Sequence, residues 1–207
     1  SNTITWLAYR LANFYQNYTD QKGMYDSVIV VTDRRVLNKQ IQDNIKQLDN
    51  TPGMVAYLDD KTTAQDLKRE IENGTRIIIT TIQKFPIISD VVEQLVDRKY
   101  AIIIDEAHSS QSGEASRHMR KALSLEEAAK KDIPGKDIDE VIAEEIKRKG
   151  QQPNLSQFAF TATPKSKTIE SFGTVQPNGD KLPFDSYSME QAIKEGFIID
   201  VLENYMS

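Results

Sequence analysis

Apolar residues along this chain follow two rhythms. Short β-branched runs at residues 27–32, 76–81 and 100–105 read as strands buried on both faces. Between them the apolar positions step by three and four. Residues 1–18 carry Ile4, Leu7, Ala8, Leu11, Phe14, Tyr15 and Tyr18 at helical spacing, and the turn Asp20-Gln21-Lys22-Gly23 ends that helix. Residues 34–48 place Val36, Leu37, Ile41, Ile45 and Leu48 on one helical face. Thr51-Pro52-Gly53 is a turn before a short strand at 54–58, and residues 62–72 form a helix closed by Asn73-Gly74. The pattern predicts a helix over 87–96, a polar segment over 109–157 and a short strand at 158–161. Ser188-Met189-Glu190-Gln191 has the capping-box layout of a short helix ending at Gly196, and residues 197–202 read as extended.

Strands separated by helices pair in parallel through crossover connections. The expected fold is therefore α/β, a doubly wound, mostly parallel sheet flanked by helices. Ligands in such sheets sit at the carboxyl ends of the strands. Thr32-Asp33, Thr80-Thr81, Asp105-Glu106 and Thr161-Ala162-Thr163 each follow a strand, so they should share one edge although they are far apart in sequence. A charged helical insert is expected over about 114–155. Within it Ile138, Val141, Ile142 and Ile146 mark an amphipathic helix after the Pro134-Gly135 break. It reads as a solvated excursion.

Composition narrows the chemistry. The chain has 207 residues, 39% of them hydrophobic, room for one α/β domain with a core. No apolar run is long enough for a membrane span. With no cysteine there is no disulfide framework, thiolate nucleophile or zinc ribbon, which fits a cytoplasmic protein. A net charge of −5 implies that the domain alone binds DNA weakly, because that affinity comes from neutralising phosphates.

The run Ile102-Ile103-Ile104-Asp105-Glu106-Ala107-His108 is the centre of the candidate chemistry. Phosphoryl transfer from a nucleotide needs a cation near the β- and γ-phosphates and an oriented water. Asp105 could hold a hydrated Mg²⁺, and Glu106 could take the water's proton. His108 could relay the state of the site to a neighbouring loop. Taken alone, Asp105-Glu106 is also what a solvated strand end looks like. Thr161 and Thr163 could bridge the carboxylate loop to another surface, or simply end a strand before Pro164. Thr32, Arg34, Thr80 and Thr81 suit contacts to a phosphate backbone, and helix capping explains them equally well. No Gly-x-x-x-x-Gly-Lys-Ser/Thr phosphate loop occurs. Ser1-Asn2-Thr3 leads straight into a helix, as the last residue of such a loop does. Ser1 is thus a candidate phosphate and Mg²⁺ ligand, or a residue left by tag removal. The chain is expected to begin at, or just after, the lysine of that loop.

These residues resemble a known family. In order they are Val30-Val31-Thr32-Asp33-Arg34-Arg35-Val36-Leu37, Ile79-Thr80-Thr81-Ile82-Gln83-Lys84-Phe85, Asp105-Glu106-Ala107-His108-Ser109-Ser110-Gln111-Ser112-Gly113-Glu114 and Thr161-Ala162-Thr163-Pro164. Together they resemble the first RecA-like motor domain of superfamily 2 helicases. More narrowly, the chain is similar to the restriction (R) subunit of type I restriction–modification enzymes. The resemblance implies a P-loop NTPase fold lacking its phosphate loop. Residues 1–186 would be the motor domain, and 187–207 would lead toward a second one. It implies ATP and Mg²⁺ as cofactors, with Asp105 on the metal, Glu106 activating water, and His108, Thr161 and Thr163 coupling hydrolysis to DNA movement. Thr32, Arg34, Thr80 and Thr81 would touch the DNA backbone. The implied partners are double-stranded DNA and the modification and specificity subunits, with no membrane. The intact parent would translocate and cut DNA, and the fragment alone would be inactive. A DEAH-type helicase or remodeller is the alternative.

Overall fold

The computed structural model describes residues 2–17, 19, 22–32, 35–48, 51, 53–58, 62–81, 84–105 and 153–199. Five strands form one sheet: β1 (Ser27–Thr32), β2 (Val55–Leu58), β3 (Ile77–Thr81), β4 (Tyr100–Ile104) and β5 (Leu155–Ala159). Their order is β2-β3-β1-β4-β5, and every neighbouring pair is parallel. The central strands β1, β3 and β4 are buried at every position. That explains their unbroken β-branched runs, since such side chains suit a strand covered on both faces.

Alternate residues of these strands enter opposite cores. Ile29, Val31, Ile78, Ile102 and Ile104 pack with Leu67 and Ile71 of α3 (Ala64–Asn73) and with Phe85, Ile88 and Val92 of α4 (Phe85–Gln94). Val28, Val30, Ile77, Ile79 and Ile103 pack with Ile4, Ala8 and Ala12 of α1 (Asn2–Ala12) and with Ile41 and Ile45 of α2 (Arg35–Leu48). Helices therefore cover both faces. Each fully buried Ile or Val contributes on the order of 1.5–3 kcal/mol of transfer free energy, so the stability of this unit is concentrated here.

Several element boundaries differ from the sequence pattern. α1 ends at Ala12 and does not continue to residue 18. The Asn13 side-chain amide donates to the Tyr9 carbonyl (3.0 Å), Phe14 N–H reaches back only three residues to Leu11, and Phe14 and Tyr15 are exposed. A side chain that competes for the helix's own carbonyls ends it early. β5 starts at Leu155, within the segment that its polarity marks as irregular. It lies at the end of the order and is only half buried, so Ser156 and Gln157 are tolerated in it. A short helix, α5 (Ser166–Phe172), follows β5.

The chain forms two compact units, Ser1–Phe172 and Gly173–Ser207. The second unit holds a hairpin of β6 (Thr174–Val175) and β7 (Lys181–Leu182). Its turn uses Gly179 at φ 89°, in the left-handed region that glycine enters without a steric cost. The helix α6 (Met189–Lys194) follows, capped as expected by Ser188, whose hydroxyl accepts from Gln191 N–H at 3.1 Å. Phe197 and Ile198 then form a bend, not the expected extended segment.

Candidate functional site

Parallel pairing brings all carboxyl strand ends to one rim. Along it lie, in spatial order, Thr80-Thr81 of β3, Thr32 of β1, Asp105 after β4 and Thr161 after β5. Thr32 and Thr81 are register partners. Asp105 N–H donates to the Val31 carbonyl (2.9 Å), and Phe160 N–H donates to Ile104 (2.8 Å), so the ladder continues to the rim. The shared edge expected for these scattered residues is thus the observed one.

The rim has two sides. Thr81 follows the alternation of Ile77 and Ile79, and Thr32 that of Val28 and Val30, toward the α1/α2 core. Asp105 continues the alternation of Ile103 toward that same side. The start of α1 reaches this rim too. The Ala12 carbonyl at its far end is held at the opposite sheet edge by Arg76, and the 11 residues of α1 span about 16 Å. Thr80 takes the other side, with Ile78 and the α3/α4 core. Its buried hydroxyl donates to the Leu58 carbonyl at 3.2 Å, a bond internal to the sheet. Two adjacent threonines therefore serve opposite faces, which their adjacency in sequence conceals.

Thr32, Thr80 and Thr81 are all buried, whereas Asp105 and Thr161 are partly accessible and Thr163 is exposed. Thr161 Oγ1 accepts from Thr163 N–H (3.2 Å), which makes a hydroxyl turn just before Pro164. Three buried hydroxyls among the described residues meet no hydrogen-bond partner: Ser27, Tyr100 and Thr81. Only Thr81 is at the rim. Ser1, Arg34, Glu106 and His108 lie outside the described residues, as does most of the charged insert.

One rim residue belongs to the Thr80–Lys84 run, whose hydroxyls and cation suit phosphate contacts or helix capping with solvated charge equally well. Lys84, at the N-cap of α4, is only 7% exposed, and its ammonium donates to the Thr62 hydroxyl. Thr62 directly precedes Thr63, the N-cap of α3, where Thr63 and Asp66 form a reciprocal capping box (Thr63 N–H to Asp66 Oδ2 2.8 Å, Asp66 N–H to Thr63 Oγ1 3.2 Å). The backbone and side-chain bonds from Thr63 hold the Asp66 carboxyl below its ordinary value. The one sequence signal for Lys84 was a cation following two hydroxyls at a strand end.

The donor set suits a hydrated Mg²⁺. That ion keeps several waters and needs only one or two protein carboxylates beside substrate phosphates. Asp105, accessible at a strand terminus, meets that need. Among the described residues no cluster of three or more His, Cys, Asp or Glu could cage a metal by itself. No helix there is long and apolar enough to cross a membrane.

Comparison with known proteins gives three findings. No curated protein matches the sequence. Among solved structures, the Hef helicase domain of Pyrococcus furiosus aligns at 19% identity with a TM-score of 0.44. That alignment covers 82% of this chain and 29% of that one, so the chain spans less than a third of the other's length. The family model for the SWI2/SNF2 ATPase matches residues 2–129, more than half of the sequence, and the chain belongs to the SWI2/SNF2 ATPase family.

Proposed function

We propose that this chain is the first motor domain of an ATP-driven machine that moves along double-stranded DNA. The carrying observation is the rim itself: four strands in lateral order present Thr81, Thr32, Asp105 and Thr161 at adjacent carboxyl ends. Membership of an ATPase family supplies the reaction class.

In this reading Asp105 holds the Mg²⁺, which when bound neutralises charge on the transferring phosphoryl group. Glu106 accepts the proton of the attacking water, and Ser1 is a phosphate and Mg²⁺ ligand. Thr32 and Thr81 hold the floor of that side through the sheet register. His108, Thr161 and Thr163 carry the state of the nucleotide toward DNA, and Arg34 contacts the DNA backbone. No Gly-x-x-x-x-Gly-Lys-Ser/Thr pattern occurs in these 207 residues.

For the parent we propose the R subunit of a type I restriction enzyme, which acts in the cytoplasm with modification and specificity subunits. The motif run from Thr80 to Phe85 and the Ser-Gln-x-Gly-Glu stretch after the acidic pair support it. The family match supports a remodeller-type translocase equally. Triplex displacement on long linear duplex tests both. The intact protein should displace the third strand with ATP and Mg²⁺, and Asp105→Asn should stop it. Displacement that survives Asp105→Asn would overturn the motor reading. ATP-dependent cleavage of that DNA in the presence of the partner subunits identifies the restriction enzyme, and translocation without cleavage identifies the remodeller.

A further inference from the structure

We propose that Thr32 is a positioning residue for the Asp105 carboxylate, its hydroxyl holding one carboxylate oxygen so that the other is aimed at Mg²⁺. This rests on the motor reading above.

The sheet register puts the two residues side by side. Val31 and Ile104 are Cα partners, and Asp105 N–H donates to the Val31 carbonyl (2.9 Å), so the pairing runs on to Thr32 and Asp105. Ile104 pairs likewise with Ala159, and Phe160 N–H donates to the Ile104 carbonyl (2.8 Å), which sets Phe160 on the other flank of Asp105. Thr81 is the partner of Thr32 on β3. A row of Thr81, Thr32, Asp105 and Phe160 therefore crosses the rim. All four take the α1/α2 side, by alternation with Ile79, Val30, Ile103 and Phe158. Neighbouring strands lie about 4.8 Å apart, a gap that a hydroxyl and a carboxylate bridge with one hydrogen bond.

The row leaves each of the two one lateral choice. Thr32 is fully buried, and a buried hydroxyl is spent on a partner. On one flank it meets Thr81, whose hydroxyl has no partner, so no bond joins those two. On the other flank is Asp105. Seen from Asp105, Phe160 offers no polar side-chain atom, and Thr32 offers a donor. Neither Thr32 nor Asp105 is without an interaction. A hydroxyl with no exposed surface is also out of reach of a DNA backbone passing over the rim. A carboxylate that serves as a lone ligand can swing about its last torsion, and a hydrogen bond to its second oxygen fixes it. Outer partners of this kind contribute about 10–100-fold in metal affinity.

The test compares Thr32→Val, Thr32→Ala, Thr32→Ser and Asp105→Asn in the intact protein. Two quantities are read: the dissociation constant for Mn²⁺ in the presence of ADP, by electron paramagnetic resonance, and the DNA concentration for half-maximal stimulation of ATP turnover. Thr32→Val keeps the shape of the side chain and removes the hydroxyl. It should weaken Mn²⁺ binding about tenfold while the DNA half-saturation point stays within about twofold. Thr32→Ser, which keeps the hydroxyl, should restore Mn²⁺ binding to within about threefold of the parent. Unchanged Mn²⁺ binding in Thr32→Val overturns the inference, as does an equal loss in Thr32→Val and Thr32→Ser, which would mark packing and not the hydroxyl. A DNA half-saturation point that moves while Mn²⁺ binding does not overturns it in favour of a DNA contact. If Thr32→Val does not fold, Thr32→Ala decides by the same criterion. Asp105→Asn separates the two failures. Turnover that persists in it rejects the motor reading, whereas turnover lost in it beside unchanged Mn²⁺ binding in Thr32→Val rejects only the role of Thr32.

Discussion

The two edges of the sheet use polar groups in opposite ways. At the amino edge, side chains are spent on the carbonyl ends of helices. Arg76 donates to the carbonyls of Ala12, at the end of α1, and of Tyr25 (2.7 Å). Arg98 donates to Ile71 (2.9 Å) and Glu72 (2.7 Å) at the end of α3, and Asn154 to Val92 (3.1 Å) and Leu95 (3.3 Å) at the end of α4. Helices that cross back over a parallel sheet all deliver their negative ends there, and cations suit them. The carboxyl edge receives the positive helix ends instead, and among the described residues Lys84 sits at the N-cap of α4 against that dipole. The amino edge spends its long side chains on helix carbonyls, whereas the carboxyl edge combines backbone-serving hydroxyls with a partly accessible carboxylate, Asp105, and a buried hydroxyl, Thr81, that meets no partner. A domain whose stability lies in its two cores and its amino edge can alter the accessible groups of the carboxyl edge without losing the fold.

Substitutions can break or sharpen that contrast. Arg76→Met should be the most damaging, costing about 3 kcal/mol, because it strips buried carbonyls of a charged donor. Urea unfolding checks it, and a loss below about 1 kcal/mol would show that the amino edge is not a stability element. Asp26→Asn should cost about 1 kcal/mol near neutral pH, since the carboxylate accepts from Lys99 N–H (2.9 Å) and pairs with Lys22 (2.8 Å). Burial alone would raise its pKa, but the Lys22 ammonium and the Lys99 amide outweigh burial and hold it below the ordinary 3.8. A folded pKa below the unfolded one means that the contribution is complete above the unfolded value and fades as pH falls through the folded one. The gap between the parent and Asp26→Asn should therefore close in acid, and a gap independent of pH below 4 would refute the charge argument.

Smaller effects bear on the same contrast. Gly23→Ala should cost about 1 kcal/mol, because a Cβ there would lie 2.8 Å from Arg76 Nη2, an atom already held by the Ala12 carbonyl. Its thermal midpoint should fall with that of Arg76→Met, and the two losses should not add. Thr81→Val should leave stability within about 0.5 kcal/mol of the parent, because its buried hydroxyl meets no partner to lose. A loss above 1 kcal/mol would place Thr81 among the structural groups.

The hydrophobic pattern located β1, β3 and β4 well because strands buried on both faces need uninterrupted apolar runs. It misplaced β5 because an edge strand tolerates Ser156 and Gln157. It missed the β6–β7 hairpin because two-residue strands leave no period to read. The rim was legible for a topological reason: once the strands are parallel, residues that follow them must share an edge. Which side of the rim each residue takes was not legible as a role. Thr80 and Thr81 look alike in sequence, yet one binds a sheet carbonyl and the other faces the opposite core. The burial of Lys84 was hidden for a similar reason, since no sequence rule separates a solvated lysine from one buried on a neighbouring hydroxyl.

Asp105→Asn, measured for both unfolding midpoint and DNA-stimulated ATP turnover in the intact protein, tests the division of labour most directly. The account predicts a midpoint within about 0.5 kcal/mol of the parent, and turnover reduced at least about 100-fold, the factor given by losing about 3 kcal/mol of charge stabilisation. Turnover preserved, or lost only in proportion to a destabilised fold, would contradict it.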